Sequence, residues 1–410
     1  MNNKTVIIVG GGPAGMMAAI SASAKRDGVI LIERNTSLGK KLLLTGGGRC
    51  NMTNACPEQD LIGHYSRTGE FLRDAFKVFG SKELLAFFGS RGLETGIEDD
   101  GKVFPVTGKA SSVLGVLEKE IEISGVRMLR GKRVKNIIMK EGRAAGIVLE
   151  DGSEITGDKV IIASGGLSYS ATGASGDGLS MAAGTGHTII PPRPGLVPLD
   201  LEGSIPKDIE GLSVTPARIT FRSGKMKYSS DKGSLIFTRS GISGPVTLLS
   251  SAKAVDWILR GKTVSVEIDM FPDKSPEEVS RMLRKEITAF PGKSIKKILK
   301  TFFPERLAAV ILEIAGIDPE KSPSRLKAPE RSRIEGLCKC FKFSAAKSVS
   351  FEKAQITRGG VSVKDIDPRT MGSKKIKGLY FAGEIIDVDG ECGGFNLQAA
   401  FSTGYLAGVS

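Results

Sequence analysis

Residues 6–33 read VIIVGGGPAGMMAAISASAKRDGVILIE, and their order of residue types decides the fold. An apolar run, Val6-Ile7-Ile8-Val9, stops at Gly10-x-Gly12-x-x-Gly15, and small residues at helical spacing (Ala14, Ala18, Ala19, Ala22) follow. A second apolar run from Val29 to Ile32 then ends at Glu33. Strand, glycine turn, helix, strand and acid in that order form a dinucleotide-binding βαβ unit. Gly10 permits the tight strand-to-helix turn, Gly12 lets backbone approach a pyrophosphate, and Gly15 with Ala19 lets helix and strand pack closely. The phosphates sit on the helix N-terminus, where N–H groups lack internal partners. Glu33, 18 residues past Gly15, is placed to accept a ribose 2′-hydroxyl.

The rest of the composition bounds the class. At 410 residues the chain exceeds one ordinary core, and 40% hydrophobic with 25% charged residues are globular values. No apolar run has the length of a membrane span, and because Met1-Asn2-Asn3-Lys4-Thr5 passes straight into the first strand, no signal peptide is expected. Five cysteines, an odd number in a long chain, fit reduced thiols in a cytoplasm. The net charge of +13 is uneven: residues 271–350 hold 17 Lys/Arg against 10 Asp/Glu, a surplus of +7. Sparse aromatics and the absence of an arginine-rich run favour a solvated helical face over a nucleic-acid surface.

Composition also divides the chain. Residues 1–190 read as an α/β unit with helices near 70–90 and 109–124 and strands at 134–139, 145–150 and 159–163. The turn signals Glu141-Gly142-Arg143 and Asp151-Gly152 imply a three-stranded meander. Pro191-Pro192-Arg193-Pro194-Gly195 cannot continue a helix or a central strand and marks a crossing into a second domain. Residues 191–271 alternate as short strands, and 272–344 take helical periods (Val279, Leu283, Ile287; Ile295, Ile298, Leu299, Phe302). Residues 345–410 return to the α/β style and complete the first domain.

Two further segments carry chemistry. Lys40, Lys41 and Arg49 surround Gly46-Gly47-Gly48, where converging backbone N–H groups and cations suit an anion. Near the C-terminus a strand, Leu379 to Ala382, ends at Gly383-Glu384, and Gly393-Gly394 leads into a helix with Asn396 near its start. In an FAD enzyme this puts a carboxylate on the ribityl chain and a helix N-terminus at the N1–C2=O edge of the isoalloxazine.

These segments resemble the YhiN/BaiN family of bacterial flavoproteins, also described as aminoacetone-oxidase-like. The resemblance rests on GGGPAG (10–15), TGGGRCNMTN (45–54), VFPVTGKASSV (103–113), ASGGLSY (163–169), TGASGDG (172–178), LIFTRSGISGP (235–245) and FAGEIIDVDGECGGFNLQAAFSTG (381–404). It implies FAD on a Rossmann-like α/β domain interrupted by an inserted β-barrel-like domain and a small helical domain. It also implies cofactor contacts at Gly10, Gly12, Pro13, Ala14, Gly15, Glu33, Arg34, Lys41, Gly46, Gly47, Arg49, Asn51, Val134 (an adenine-side strand), Gly383, Glu384, Asn396 and Leu397. Many flavoproteins carry Gly-Asp where this chain has Gly383-Glu384.

Other chemistries find less support. Cys50 and Cys56 stand at C-x5-C, one residue off the C-x4-C of disulfide-reducing flavoenzymes, and no second GxGxxG follows a later strand. His64 and His187 have no Asp or Ser partner nearby in sequence, so a hydrolytic triad is unsupported, and metal-ligand clusters are absent. Tyr169 and Arg239-Ser240 are candidates for the substrate cavity. The expectation is an FAD-dependent oxidoreductase that reduces an activated C=C bond of a small organic substrate, with NAD(P)H as a transient electron donor. Oxidation of a small amine such as aminoacetone, and a non-catalytic RNA-associated or redox-sensing flavoprotein, are the alternatives.

Overall fold

A computed structural model of the chain describes residues 5–25, 28–98, 100–203 and 207–410. The expectation drawn from Met1–Lys4 lies outside the described residues. The chain divides into two compact units, Met1–Pro194 with Phe351–Ser410, and Gly195–Ser350.

In the first unit the quoted stretch forms β1 (Thr5–Val9), α1 (Pro13–Ser23) and β2 (Gly28–Glu33). A five-stranded sheet runs in the order Leu379–Phe381, Lys159–Ile162, β1, β2, Arg127–Arg130, and every neighbouring pair is parallel. Val6, Ile7 and Ile8 are wholly buried, as strands covered on both faces must be. The last helix, Gly393–Val409, packs along α1, and small residues set the approach. A Cβ added at Gly404 would stand 2.2 Å from the carbonyl oxygen of Ala14. The two termini of the chain thus build one dinucleotide-type core. Segments 40–126 lie between β2 and its sheet neighbour, and they bring the glycine loop 46–48 to the same unit. The meander forms from Val134–Lys140, Arg143–Leu149 and Glu154–Thr156.

The proline run takes a more regular form than a bare crossing. Ile189–Gly195 is a strand, paired only with Ile356–Val361 in a two-stranded sheet. Proline lacks a donor, and such a ribbon has a free edge that does not need one.

Among the described residues the second unit carries a seven-stranded antiparallel sheet. Its path runs Leu199–Asp200, Gly241–Ser243, Gly233–Phe237, Ser213–Ser223, Ser265–Asp269, Phe341–Ser344, with Met226–Ser229 beside Ser213–Ser223. An antiparallel bridge, Leu201–Ala345, joins the two ends of that path. Helices Pro276–Ala289, Ile295–Leu299, Glu305–Ala315 and Ala328–Lys339 fill the segment read as helical. One helix escapes the sequence reading. Pro245–Ile258 sits inside the β-rich stretch, and its buried face is made largely of Thr247, Ser250, Ser251 and Ala254, which carry little hydrophobic signal.

Candidate cofactor site

The glycine turn is built as its sequence requires. Gly10 has φ +111°, and a Cβ there would meet the Ala163 carbonyl oxygen at 2.5 Å. A Cβ at Gly15 would lie 1.8 Å from the Gly10 carbonyl oxygen, so close packing of turn and helix excludes any side chain. Gly12 differs. It is the N-cap of α1, and a Cβ there would meet nothing within 4 Å. The open space lies where the helix leaves its first N–H groups unpaired, with Pro13 at N1 and Ala14 and Gly15 supplying the donors. Helix dipole and free donors together suit a phosphate.

Glu33 ends β2, buried at 9% exposure, and faces the same turn. Its Oε2 accepts from the Gly11 N–H at 2.7 Å, and its Oε1 accepts from the backbone N–H (2.7 Å) and Nδ2 (2.8 Å) of Asn35. The carboxylate is thereby oriented while keeping lone pairs for a hydroxyl. Arg34 instead reaches outward, donating to the Gly173 carbonyl at 3.2 Å and lying 3.6 Å from Asp177. Val134 is buried in the first strand of the meander.

The second anion loop is left-handed at three successive glycines, Gly46, Gly47 and Gly48, with φ of +57°, +66° and +89°. Residues with a Cβ are strained there. Beyond Gly47 there is open space, as beyond Gly12. Arg49 does not point into that space; it lies over the Phe104 ring at 4.0 Å and pairs with Glu98 at 2.7 Å. Asn51 turns the other way, against Gly394 in the first turn of the C-terminal helix. With its amide in the satisfied orientation, it donates to the Thr53 carbonyl and accepts from the Gly394 N–H.

Lys41 and Glu384 meet 343 residues apart in sequence. The Lys41 ammonium donates to Glu384 Oε2 and Ser168 Oγ, both at 2.6 Å. Glu384 Oε1 accepts from Ser168 Oγ at 2.8 Å and from the Thr357 N–H at 2.5 Å. Both carboxylate oxygens therefore already have protein donors, and Glu384 serves first as an anchor for Lys41. Gly383, at φ +76°, donates its N–H to Thr403 Oγ1 and leaves no room for a Cβ beside Ala14. Asn396 ties the turn ahead of the helix by donating to the carbonyls of Gly390 and Cys392 and accepting from the Gly390 N–H. Leu397 is buried behind it.

Sequence reasoning missed two groups. Ser168 and Thr357 complete the Lys41–Glu384 network; Ser168 lies in the ASGGLSY motif (163–169) but carries no assigned role there, and nothing local marks Thr357. His64 does have an acidic partner: its Nδ1 lies 3.0 Å from Glu391 Oε2, across 327 residues. His187 is structural, bonded to Ser373 Oγ through Nε2 (2.7 Å) and to Thr185 Oγ1 through Nδ1 (2.9 Å). Burial lowers its pKa. Tyr169 holds a left-handed φ of +52° in the loop after Lys159–Ile162. Asp387 and Asp389, just before the last helix, are both raised by burial.

The cysteines do not form a reactive pair. All five are free, and burial pushes the Cys50 thiol up to about 12. Burial also raises Cys56 and Cys392, and a thiol so raised is a poor nucleophile at neutral pH. Among the described residues no group of three or more His, Cys, Asp or Glu residues can hold a metal, and no helix is long and apolar enough to cross a membrane.

An open helix N-terminus at Gly12, open space beside Gly47 in the left-handed glycine loop, an oriented carboxylate at the end of β2 and a second helix N-terminus beside Asn51 fit a two-phosphate cofactor such as FAD. This combination defines a Rossmann-type dinucleotide-binding protein. Residues 4–410 match the family described as HI0933-like protein Rossmann domain, and the chain belongs to that family. The 3-dehydro-bile acid delta(4,6)-reductase of Clostridium scindens is 34% identical over 98% of this chain and 97% of its own length. The ribosomal RNA dihydrouridine synthase of Escherichia coli is 29% identical over 99% of this chain and 97% of its own length. A solved 3-ketosteroid delta1-dehydrogenase from Sterolibacterium denitrificans shares the fold at TM-score 0.54 and 12% identity, covering 100% of this chain and 99% of that one. The chain is an FAD-dependent oxidoreductase of this flavoprotein family.

Proposed function

We propose that the protein reduces a C=C bond conjugated to a carbonyl group in a small organic substrate, taking its electrons from NAD(P)H. The observation that carries the reading is the end-to-end similarity to a relative named for reducing the delta(4,6) bonds of a 3-dehydro-bile acid. The name of the second relative points to the same bond chemistry, since dihydrouridine is uridine with one ring C=C bond saturated.

In this reading Gly10, Gly12, Pro13, Ala14 and Gly15 receive the pyrophosphate of FAD, and Glu33 accepts from the adenosine ribose. Arg34 and Val134 border the adenine. Gly46, Gly47, Arg49 and Asn51 follow the flavin side, and Lys41, held by Glu384, supplies a fixed cation. Gly383, Asn396 and Leu397 shape the turn and first turn of the last helix, whose positive end faces the pyrimidine edge. FAD, when bound, supplies hydride transfer between the nicotinamide and the substrate. The protein's own part is to hold the partners in line and keep water away. The inserted unit, with its joined sheet and its helices, is read as a barrel-like domain with a helical appendage, and the protein as cytoplasmic.

Holoprotein incubated without oxygen with NADPH or NADH and a panel of cyclic enones tests the reading. Products heavier by two hydrogens are expected. Oxidation of amines under air, with no enone reduced, would replace it with the amine-oxidase reading. A second reading, reduction of a uridine within ribosomal RNA, is favoured by the name of the Escherichia coli relative. Appearance of dihydrouridine in undermodified ribosomal RNA treated with the protein would establish it.

A further inference from the structure

Reducing a conjugated C=C bond takes a hydride at one carbon and a proton at its neighbour. The cofactor class accounts for the hydride, and the proton must come from a group of the protein. The candidates near the last helix are few, because the whole chain has only two histidines and His187 is held in the interior.

His64 stands at the mouth of that helix. Its ring stacks on Phe395, with centroids 4.4 Å apart and planes 11° from parallel. Phe395 belongs to the first turn of Gly393–Val409. The neighbouring Gly394 is packed by Asn51, while beyond Gly393 there is open space. The segments bearing His64 and Glu391 are laced together: Tyr65 bridges Gly390, the Glu391 N–H donates to the His64 carbonyl at 3.0 Å, and the Ser66 N–H donates to that of Asp389 at 2.9 Å. The Tyr65 hydroxyl donates to the Phe395 carbonyl at 2.6 Å. His64 is therefore fixed by backbone pairing, ring stacking and a carboxylate. A carboxylate on Nδ1 selects the tautomer and leaves Nε2 to exchange a proton with a ligand or water. The other ionisable groups on these segments are Tyr65, Arg67, Asp387, Asp389 and Cys392, and Glu391 hydrogen-bonds the ring.

We propose that the His64–Glu391 pair donates the proton in the reduction, a step that rests on the C=C reductase reading. The imidazolium gives its Nε2 proton to the alkene carbon next to the carbonyl while the other alkene carbon takes hydride from the reduced flavin. The two electrons arrive with the hydride, the imidazole is left neutral, and water reprotonates it. His64 half-exposed at the site's edge suits that return. Proton transfer of this kind contributes about 10²–10⁴-fold in rate.

The test uses holoprotein reduced without oxygen and mixed with an enone that the wild type reduces. His64→Gln, with His64→Asn as a second variant, is expected to slow reoxidation of the flavin by the enone about 100-fold or more. Reoxidation by ferricyanide, which needs no proton on carbon, stays at the wild-type rate. Glu391→Gln falls between. A separate readout is the His64 ring signal by NMR, identified by its loss in His64→Gln, which moves when the flavin is reduced. Enone reoxidation at the wild-type rate in both His64 variants, or a ring signal indifferent to flavin reduction, overturns the proposal. If the wild type reduces no enone while ferricyanide still takes its electrons, the C=C reading itself fails and the proton donor with it.

Discussion

Single side chains decide whether the site can hold its cofactor. Gly12→Val fits the backbone, whose φ of −82° any residue adopts, but fills the space left open at the helix N-terminus. Far-UV circular dichroism of the variant is expected to match the wild type while FAD is no longer retained; normal retention would displace the pyrophosphate from this turn. Lys41→Met strips Glu384 of its cation at a position where the two side chains are 26% and 20% exposed. A loss of about 1–3 kcal/mol in stability is expected, with Lys41→Met/Glu384→Gln recovering much of it, as chemical denaturation of the two variants will show. His187 gives a pH signature. Burial lowers its folded pKa below the ordinary 6.5, so the unfolded chain takes up the proton first on acidification. The stability it contributes is complete above about 6.5 and is lost as pH falls through the folded value. His187→Gln should flatten that part of the pH–stability curve, and an unchanged curve would assign the proton elsewhere.

At the level of elements, packing between α1 and the last helix leaves no room for a side chain at Gly404 or Gly408. Gly404→Val would drive a branched side chain onto the Ala14 carbonyl. A cost of about 1–3 kcal/mol or more is expected, read as a lower Tm together with weaker FAD retention, because Ala14 lies in the phosphate turn. The elements legible in the sequence are those whose signal is local. The β1–α1–β2 unit shows itself through an apolar run, a glycine triad and an acid within 28 residues. The last helix is marked by Gly393-Gly394, although the two glycines form its first turn instead of leading into it. Pro245–Ile258 is hidden because serine, threonine and alanine face its neighbours. The proline run looked like a break because proline is rare in sheets, yet a two-stranded ribbon accepts it.

For the whole molecule, what the sequence could not display is pairing over long separations. Lys41 finds Glu384, Ser168 finds Thr357, and His64 finds Glu391 only after segments from both ends of the chain fold into one unit. Glu384 was legible as an acid beside a glycine, but its engagement by three protein donors is a property of the assembled fold. The membership in an FAD-dependent family was legible because it is carried by contiguous motifs; the proton-handling group was not, because no motif contains both of its halves. The proposed function is one chain of electrons, from nicotinamide through FAD to a conjugated C=C bond. The most direct test is an anaerobic visible spectrum of the purified holoprotein, recorded before NADPH or NADH, after it, and again after adding a cyclic enone. Flavin bands that bleach with the nicotinamide and return with the enone, with saturated ketone formed in step, are the predicted result. Bands that neither nicotinamide bleaches, or that stay bleached with every enone, would contradict it.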